Sequence, residues 1–309
     1  MKKNKGNRAI YYRIMSIFAV KIREKKMNAE VQHINLDDYI QTGEGGTSLT
    51  YTSKDGKTLA KLYKPGFEAD RAKAEFLTAR TVFELGIPSP EPYRLITDGE
   101  RSGAEYELIN NKRSFTRIIS QEPERLEEIS LKFARMAREL HEVKADTTRL
   151  RSYKQGIERF YREKDLVPAE YKQLALEFLE TVPDTPHCLH GDLHIGNIIT
   201  DGNRDLWIDV GEFSYGVPEW DLSLLWTICN NMSSDRAEDL FHLSHEMMKV
   251  HWDIFFPAYL GTTDSQAIGE ATKRILPFYA VKVPYVYDMV YQGPMPEVAF
   301  QKIAKFFNS

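Results

Sequence analysis

The residues with the clearest capacity for chemistry form one short segment, His190-Gly191-Asp192-Leu193-His194-Ile195-Gly196-Asn197. A further carboxylate, Asp209, opens an Asp-Val-Gly tripeptide directly after an apolar run. Phosphoryl transfer from a nucleotide needs a carboxylate that accepts the proton of the attacking hydroxyl, together with oxygen ligands for Mg²⁺. Protein kinases supply these groups as H-R-D-x-x-x-x-N and a downstream D-F-G. His190, Asp192 and Asn197 have those spacings, with Gly191 in place of the arginine, so the sequence predicts a site for phosphoryl transfer.

Two other interpretations of this segment remain open. His187, His190 and His194 accompany Asp192, and histidines with carboxylates are also the ligands of zinc and iron sites. A loop whose histidines only cap turns is the structural alternative. Mg²⁺ prefers the oxygen ligands that Asp and Asn supply, and these stand where the kinase pattern requires them. We therefore favour a catalytic loop over a His-rich metallohydrolase site.

A nucleotide site also requires groups that hold the phosphates, and candidates lie upstream. Lys61, on a predicted strand, is similar to the strand lysine that contacts the α- and β-phosphates in kinases. Glu75 on the following helix is its expected ion-pair partner, and Glu68 is a fallback. Three glycines between two predicted strands offer backbone amides for phosphates, although glycines there also suit a hairpin turn: Gly43, Gly45 and Gly46. A Walker loop is excluded, since Tyr51 occupies the place of its first glycine.

Two regions of different secondary structure must position these residues. From residue 37 to 109 the pattern predicts mostly strands, among them Leu49–Ser53 and Thr58–Tyr63 around an Asp-Gly turn, with one helix over residues 67–85. Strands over Tyr93–Thr97 and Ala104–Ile109 complete this small sheet. After Asn110-Asn111 the pattern becomes helical. Helices are predicted over residues 123–143, 153–163, 168–181, 219–230, 234–252, 265–275 and 296–307, with a non-helical insert over residues 186–211.

This organisation predicts an α+β protein with two lobes and a ligand cleft between them. We expect a basic, mobile extension over residues 1–30, a nucleotide-binding N-lobe over residues 31–109, and a helical C-lobe over residues 110–309 with the catalytic loop and the acceptor site. The N-lobe is predicted to be a small antiparallel sheet with one helix.

Composition and charge exclude several classes of function. The chain has 309 residues and a net charge of −4, which divides into +8 over residues 1–26 and −12 over the rest. The acidic charge of the rest of the chain argues against non-specific nucleic-acid binding. For the basic residues 1–26 we favour a solvated extension over contact with an anionic membrane or a nucleic acid. No apolar run approaches the roughly 20 residues that span a bilayer, so no transmembrane segment is expected. Cys188 and Cys229 cannot form a disulfide framework and fit a reducing compartment. Because no convincing signal peptide is present, we expect a cytoplasmic protein.

The motifs together resemble those of the aminoglycoside phosphotransferases and the related choline-kinase-like proteins. The resemblance rests on the segment described above, on Ile208-Asp209-Val210-Gly211, and on Tyr215-Gly216-x-Pro218-Glu219-x-Asp221-Leu222. It implies a two-lobed protein-kinase-like fold, ATP or GTP as the phosphoryl donor, and Mg²⁺ as the metal. It also implies an ATP-dependent small-molecule kinase whose acceptor is an alcohol, such as an aminoglycoside, an amino sugar or an amino alcohol.

The resemblance implies a role for each matching residue of the catalytic region. Asp192 is implied to be the catalytic base, and Asn197 and Asp209 the magnesium ligands. His190 and Asp221 are implied to brace the catalytic loop, Asp221 by accepting hydrogen bonds from its backbone amides.

On the nucleotide side, the resemblance implies that Lys61 and Glu75 form the pair that orients the α- and β-phosphates. The glycine region is implied to cover the phosphates. The segment from Glu107 through Ile109 to Asn110 resembles the hinge between lobes, whose backbone would pair with the adenine edge.

The acceptor site is the least defined part. One set of acidic residues has two interpretations, an acidic surface that attracts a cationic acceptor or an ordinary solvated helix face: Glu212, Glu219, Asp235, Glu238 and Asp239. Cation–π binding and core packing are both compatible with Phe278, Tyr279, Tyr285, Tyr287 and Tyr291. We predict ordinary surface positions for His242, His245 and His251. The alternative function is that of a nucleotide-binding regulatory pseudokinase without turnover, although such a protein usually lacks at least one of the catalytic groups.

Overall fold

The computed structural model describes residues 30–45, 47–66 and 69–308. The chain divides into two compact units. The first comprises the residues up to Phe76 together with Pro92–Leu108, and the second comprises Leu77–Glu91 and the residues from Ile109 onward. The expected basic extension lies outside the described residues, except for Glu30.

The first unit is built on a six-stranded sheet. Its strands are β1 (Gln32–His33), β2 (Tyr39–Glu44), β3 (Ser48–Ser53), β4 (Thr58–Tyr63), β5 (Pro92–Thr97) and β6 (Ser102–Glu107). They are arranged in the order β1-β5-β6-β4-β3-β2, and all neighbours are antiparallel except the short parallel pair of β1 and β5. The predicted Asp-Gly turn joins β3 to β4, where Gly56 takes a φ of +71°.

The alternation of side chains along β4 decides where its lysine points. Ala60 and Leu62 are fully buried in one core of the unit, together with Ile34, Tyr51 and Ile96. Successive side chains of a strand point to opposite faces of the sheet. Lys61, between these two apolar residues, therefore projects from the opposite face. The helix predicted over residues 67–85 is α1 (Ala69–Glu84), which begins in the first unit and ends in the second.

Helices make up most of the second unit. They are α2 (Phe115–Gln121), α3 (Leu126–Glu142), α4 (Tyr153–Glu163), α5 (Ala169–Thr181), α6 (Glu219–Asn231), α7 (Ser234–Phe241), α8 (His245–Leu260), α9 (Ser265–Tyr291) and α10 (Glu297–Ala304). The helix predicted over residues 123–143 contains α3, whose apolar residues Ile129, Phe133 and Leu140 recur on one face and are almost inaccessible to solvent. Within the described part of the chain, no helix has the length and apolar character needed to cross a membrane.

Two small sheets lie in the predicted non-helical insert and its neighbours. One has the strand order β11-β10-β7 and the other β8-β12-β9. The strands are β7 (Arg113–Ser114), β8 (Arg151–Ser152), β9 (His187–Leu189), β10 (Ile198–Thr200), β11 (Asp205–Trp207) and β12 (Ser214–Gly216). A strand-rich unit and a helical unit together form an α+β architecture, as the sequence predicted.

Two helix predictions differ from the structure. The helix expected over residues 234–252 is interrupted, because His242 adopts a left-handed conformation at the end of α7 and the Ser244 side chain caps the start of α8. The helix expected over residues 265–275 continues to Tyr291 through Pro277 and Pro284. Proline usually ends a helix, but this long helix packs against α6 and α4, and that packing outweighs the lost hydrogen bonds. The short helix α2 was not predicted.

Candidate active site

The segment predicted to be catalytic, residues 190–197, forms a loop between β9 and β10 whose path depends on Gly191. This residue has a φ of +82°, and a Cβ atom there would lie 2.3 Å from the carbonyl oxygen of Glu212. A residue with a side chain would therefore face both backbone strain and a steric clash. This explains why a glycine occupies the position where protein kinases have arginine.

A buried carboxylate on α6 holds the start of this loop. Asp221 is 0% exposed and accepts hydrogen bonds from His190 N at 2.7 Å and from Gly191 N at 2.9 Å. The Nε2 atom of His141, on α3, lies 3.2 Å from the same carboxylate. Burial by itself raises the pKa of Asp221, but the hydrogen bond with His141 and the nearby charges of His141, Lys282 and His190 outweigh it and lower the pKa below its usual value. The carboxylate is thus ionised inside the protein.

His190 is a packing residue of the loop. Its ring is fully buried between Trp207 and Phe213, with ring centroids 5.2 Å and 4.9 Å away, and its Nε2 donates to the carbonyl of Ile208 at 3.1 Å. Burial lowers its pKa, although Asp221 and other neighbouring charges oppose the shift. These contacts tie the loop to the end of β11.

Asp192 points towards solvent, unlike its neighbours in the loop. Its side chain is 48% exposed, and the amide nitrogen of Asn197 donates to its backbone oxygen at 2.9 Å and lies 3.4 Å from its carboxylate. Desolvation raises the pKa of the Asp192 carboxyl. The hydrogen bond with His194 and the charges of His194, His190 and Lys282 lower this pKa by a larger amount, so the net shift is downward. The His194 Nε2 atom lies 3.5 Å from Asp192 Oδ2. The loop therefore presents an ionised, accessible carboxylate.

Asn197 and Asp209 lie at the same end of the hairpin formed by β10 and β11. Ile208 N donates to Asn197 O at 3.0 Å, which extends the pairing of the two strands to that point. Asp209 follows with a φ of +53°. The backbone thus places Asn197 and Asp209, which carry an amide oxygen and a carboxylate, at the same strand end. Such oxygen donors suit Mg²⁺.

The described residues do not support the alternative interpretation of this segment as a zinc or iron site. Among residues 30–45, 47–66 and 69–308, no group of three or more His, Cys, Asp or Glu side chains is arranged to hold a metal ion. A Mg²⁺ site of the kinase type needs fewer protein ligands, because Mg²⁺ keeps several waters and binds substrate phosphates.

In the first unit, Lys61 and Glu75 form the predicted ion pair. Lys61 Nζ lies 2.8 Å from Glu75 Oε1, and their side chains are 21% and 16% exposed. The hydroxyl of Tyr63, two residues further along β4, donates to the other carboxylate oxygen. Burial, and to a smaller extent the charge of Glu75, raises the pKa of Tyr63 to about 12. The hydroxyl therefore keeps its proton and remains a hydrogen-bond donor. Glu68, the fallback partner, lies outside the described residues.

The glycine region is a tight hairpin between β2 and β3. Gly43 belongs to β2, where a Cβ atom would lie 2.6 Å from Thr50 Oγ1, and the pairing shifts register between Gln41 and Gly43. Gly45 N donates to Ser48 O at 2.8 Å and so closes the turn. Gly46 lies outside the described residues. The predicted phosphate-covering role of these glycines stays a prediction.

The residues predicted as the hinge lie where the two units adjoin in sequence. Glu107 ends β6 opposite Thr58, and Leu108 N donates to Lys57 O at 3.3 Å. The Ile109 side chain is buried with Ile199 and Leu206 in the second unit. A contact of Ile109 with a nucleotide would thus use its backbone.

The candidate acceptor residues have different environments. Asp235, Glu238 and Asp239 are exposed on α7, and the half-exposed Glu212 pairs with Arg151. Phe278 is a core residue, whereas Tyr291 is 54% exposed.

The histidine prediction was wrong at one position. His242 is exposed and His245 is partly exposed. His251, however, lies on the face of α8 that packs against α3 and is fully buried, with its Nδ1 2.8 Å from Ser130 Oγ on α3. Its ring contacts Phe133 and Phe255. Histidine in an amphipathic pattern does not itself reveal which face it occupies, and here the aromatic neighbours bury it.

Sequence reasoning missed three residues that contact the predicted ones. These are Tyr63, the second partner of Glu75, and His141 and Lys282, which approach the catalytic loop from distant helices. The β4 pattern places Tyr63 on the same face as Lys61, which is a usable signal. No local motif marks the other two.

Comparison with known proteins identifies the family of this chain. The family model described as "Phosphotransferase enzyme family" (APH) matches residues 40–253. A search of curated protein sequences gives no significant match.

Solved structures share the fold at low sequence identity. A choline/ethanolamine kinase family protein from Mesorhizobium loti aligns with a TM-score of 0.52 and 14% identity, covering 88% of each chain. The gentamicin complex of aminoglycoside phosphotransferase APH(2")-IIa gives 0.52 and 15%, covering 94% of this chain and 95% of that one. A ternary complex of APH(4)-Ia with ADP and hygromycin B gives 0.56 and 13%, covering 88% and 93%. The chain thus has a protein-kinase-like fold, and since the family model matches more than half of its length, it belongs to the phosphotransferase enzyme family.

Proposed function

We propose that this protein is an ATP- or GTP-dependent kinase that transfers the γ-phosphoryl group to a hydroxyl of a small molecule. The proposal rests first on one observation: Asp192 presents an exposed carboxylate from a loop whose backbone amides are held by the buried Asp221. Kinases need an ionised carboxylate held in a fixed position at this point of the loop. Membership of the phosphotransferase family supports the same reaction class.

In this proposal the second unit performs the transfer. Asp192 accepts the proton of the acceptor hydroxyl as its oxygen attacks the γ-phosphorus, while the bond from that phosphorus to the bridging β-phosphate oxygen breaks and the nucleoside diphosphate leaves. Asn197 and Asp209 would hold Mg²⁺, which neutralises charge on the phosphates when bound. His190 and Asp221 keep the loop in place and do not themselves exchange protons with the substrate.

The first unit would bind the nucleotide. Lys61, held by Glu75, would contact the α- and β-phosphates, and the amides of Gly43, Gly45 and Gly46 would cover them. The hinge residues Glu107 and Ile109 would contact the base through their backbone. Solved proteins of the same fold in complexes with ADP and an aminoglycoside support a nucleotide donor and a small acceptor. We propose an aminoglycoside, an amino sugar or an amino alcohol as the acceptor class.

The test is acceptor-dependent release of ADP from MgATP, measured across a panel of aminoglycosides, amino alcohols and sugars. We expect at least one acceptor to stimulate release. Asp209→Ala should lose Mg²⁺-dependent nucleotide binding in calorimetry, and the exposed Asp165→Asn serves as the matched control. Nucleotide binding with no turnover across the whole panel would instead indicate the regulatory pseudokinase. Unchanged nucleotide binding by Asp209→Ala would contradict the proposed metal ligands.

A further inference from the structure

A buried lysine from a distant helix lies directly against the catalytic loop. Lys282, in the second half of α9, is 2% exposed. Its Nζ donates to the carbonyl of Trp220 at 3.0 Å and lies 3.3 Å from the carbonyl of Gly191. The same atom is 4.7 Å from the centre of the Tyr153 ring. All of these residues belong to the second unit.

A buried ammonium group is stable only where its donors and its charge are matched. Two carbonyls and an aromatic face satisfy the donors of Lys282, and three carboxylates face its charge: Asp221, Asp192 and Glu212. Burial lowers the pKa of Lys282 to about 8, although these carboxylates oppose the shift. The group is therefore mostly charged at neutral pH.

The lysine and Asp221 hold the loop from two sides. Asp221 accepts from the amides of His190 and Gly191, whereas Lys282 contacts the carbonyl of Gly191. That carbonyl belongs to the same planar peptide group as the N–H of Asp192. A contact that fixes this peptide plane also fixes the position of the Asp192 Cα atom, and so restricts where the Asp192 side chain can lie.

We propose that Lys282 is a positioning residue for phosphoryl transfer, which holds the peptide between Gly191 and Asp192 so that the carboxylate keeps its reactive orientation. This inference rests on the proposed function, because it assigns Asp192 the role of base. It adds a residue that acts on the reaction through the loop backbone, from a helix near the end of the chain.

The experiment compares Lys282→Met with Val281→Ala in steady-state hydrolysis of MgATP without acceptor and in transfer to any acceptor found. Methionine keeps an unbranched chain but removes the charge and its donors. Val281 is its buried neighbour on α9, in the apolar cluster of the same unit, so its truncation loosens the helix without removing the contact with the loop.

We expect Lys282→Met to lower kcat about 100-fold, the size of effect that a small misplacement of a reacting group produces. The KM for MgATP should stay near the wild-type value, because the proposed nucleotide contacts lie elsewhere. Hydrogen exchange of the peptide covering residues 188–193 should become faster in Lys282→Met and remain as in wild type for Val281→Ala. Equal kcat values and equal exchange in the two variants would overturn the inference.

A second measurement keeps the test decisive if Lys282→Met does not fold. Because the pKa of Lys282 is about 8, the wild-type kcat should fall as pH rises above that value and the ammonium loses its proton. Lys282→Arg keeps a positive charge at high pH and should move this decline to higher pH. A wild-type kcat that stays constant up to about pH 10 would contradict the inference. A wild-type protein that turns over no ATP would refute the proposed function itself, and the inference with it.

Discussion

Replacing Asp221 by asparagine tests how the catalytic loop is held. The carboxylate is 0% exposed and accepts from His190 N at 2.7 Å and Gly191 N at 2.9 Å. An asparagine can accept from one of these amides, but its NH₂ group would face the other, which is also a donor. A hydrogen bond to a charged group contributes about 1.5–3 kcal/mol, and removing one charge of a buried set costs about 3–5 kcal/mol. We expect Asp221→Asn to lower the free energy of unfolding by about 3–5 kcal/mol at pH 7.

The assay is urea unfolding followed by tryptophan fluorescence. All four tryptophans lie in the second unit, at positions 207, 220, 226 and 252, so the signal reports on the unit that contains the mutation. Asp165→Asn, at an exposed carboxylate, is the matched control and should unfold like the wild type.

The pH dependence gives an independent check on this result. The folded pKa of Asp221 lies below its usual value of 3.8. The ionised Asp221 therefore contributes its full stabilisation of the folded state above pH 3.8. This contribution is lost as the pH falls through the pKa that Asp221 has in the folded protein. The difference in the free energy of unfolding between wild type and Asp221→Asn should therefore stay constant from about pH 5 to 7 and narrow in stronger acid. A loss below about 1 kcal/mol at pH 7, the range of exposed pairs, would refute this account of the loop.

Two further variants test other parts of the second unit. Burial lowers the pKa of His251 from 6.5 to about 3, so the folded state resists protonation and wild-type stability should fall with decreasing pH between these values, by up to about 1.4 kcal/mol per pH unit. His251→Leu should flatten this slope in urea titrations, whereas the exposed His33→Gln should leave it unchanged; equal slopes in the two variants would contradict the burial of His251. Gly191→Ala should lower kcat strongly while calorimetry shows normal nucleotide binding, because a Cβ atom there meets a backbone carbonyl. Gly202→Ala has a similar positive φ but open space around it, so equal kcat losses in the two glycine variants would show that the clash does not matter.

The parts of the fold with a regular pattern were predictable from the sequence. The Asp-Gly turn and the strand pattern on either side of it identified β3 and β4, and the helical pattern over residues 123–143 identified α3. The break after α7 was not predictable, because it depends on a left-handed His242 and a serine cap rather than on glycine or proline. The length of α9 was missed because tertiary packing outweighs the effect of two prolines.

The candidate site could be proposed from the sequence because its residues lie in a short segment. Asp192, Asn197 and Asp209 were selected by type and spacing alone, and their roles stay predictions. Lys282 and His141 were not, since each lies far from the loop in sequence and touches it only after the chain has folded. A lysine within an apolar helix also resembles any surface lysine until its neighbours are known.

The most direct test of the proposed transfer uses ATP labelled in the γ-phosphate, with label transfer to an acceptor measured for the wild type and for Asp192→Asn. Because the Asp192 carboxylate is 48% exposed, the variant should still fold, although the loss of its attraction to His194 and Lys282 should lower the free energy of unfolding. We expect the wild type to transfer label in the presence of Mg²⁺ and Asp192→Asn to transfer almost none. A variant that retains near-wild-type transfer would contradict the assignment of Asp192 as the base.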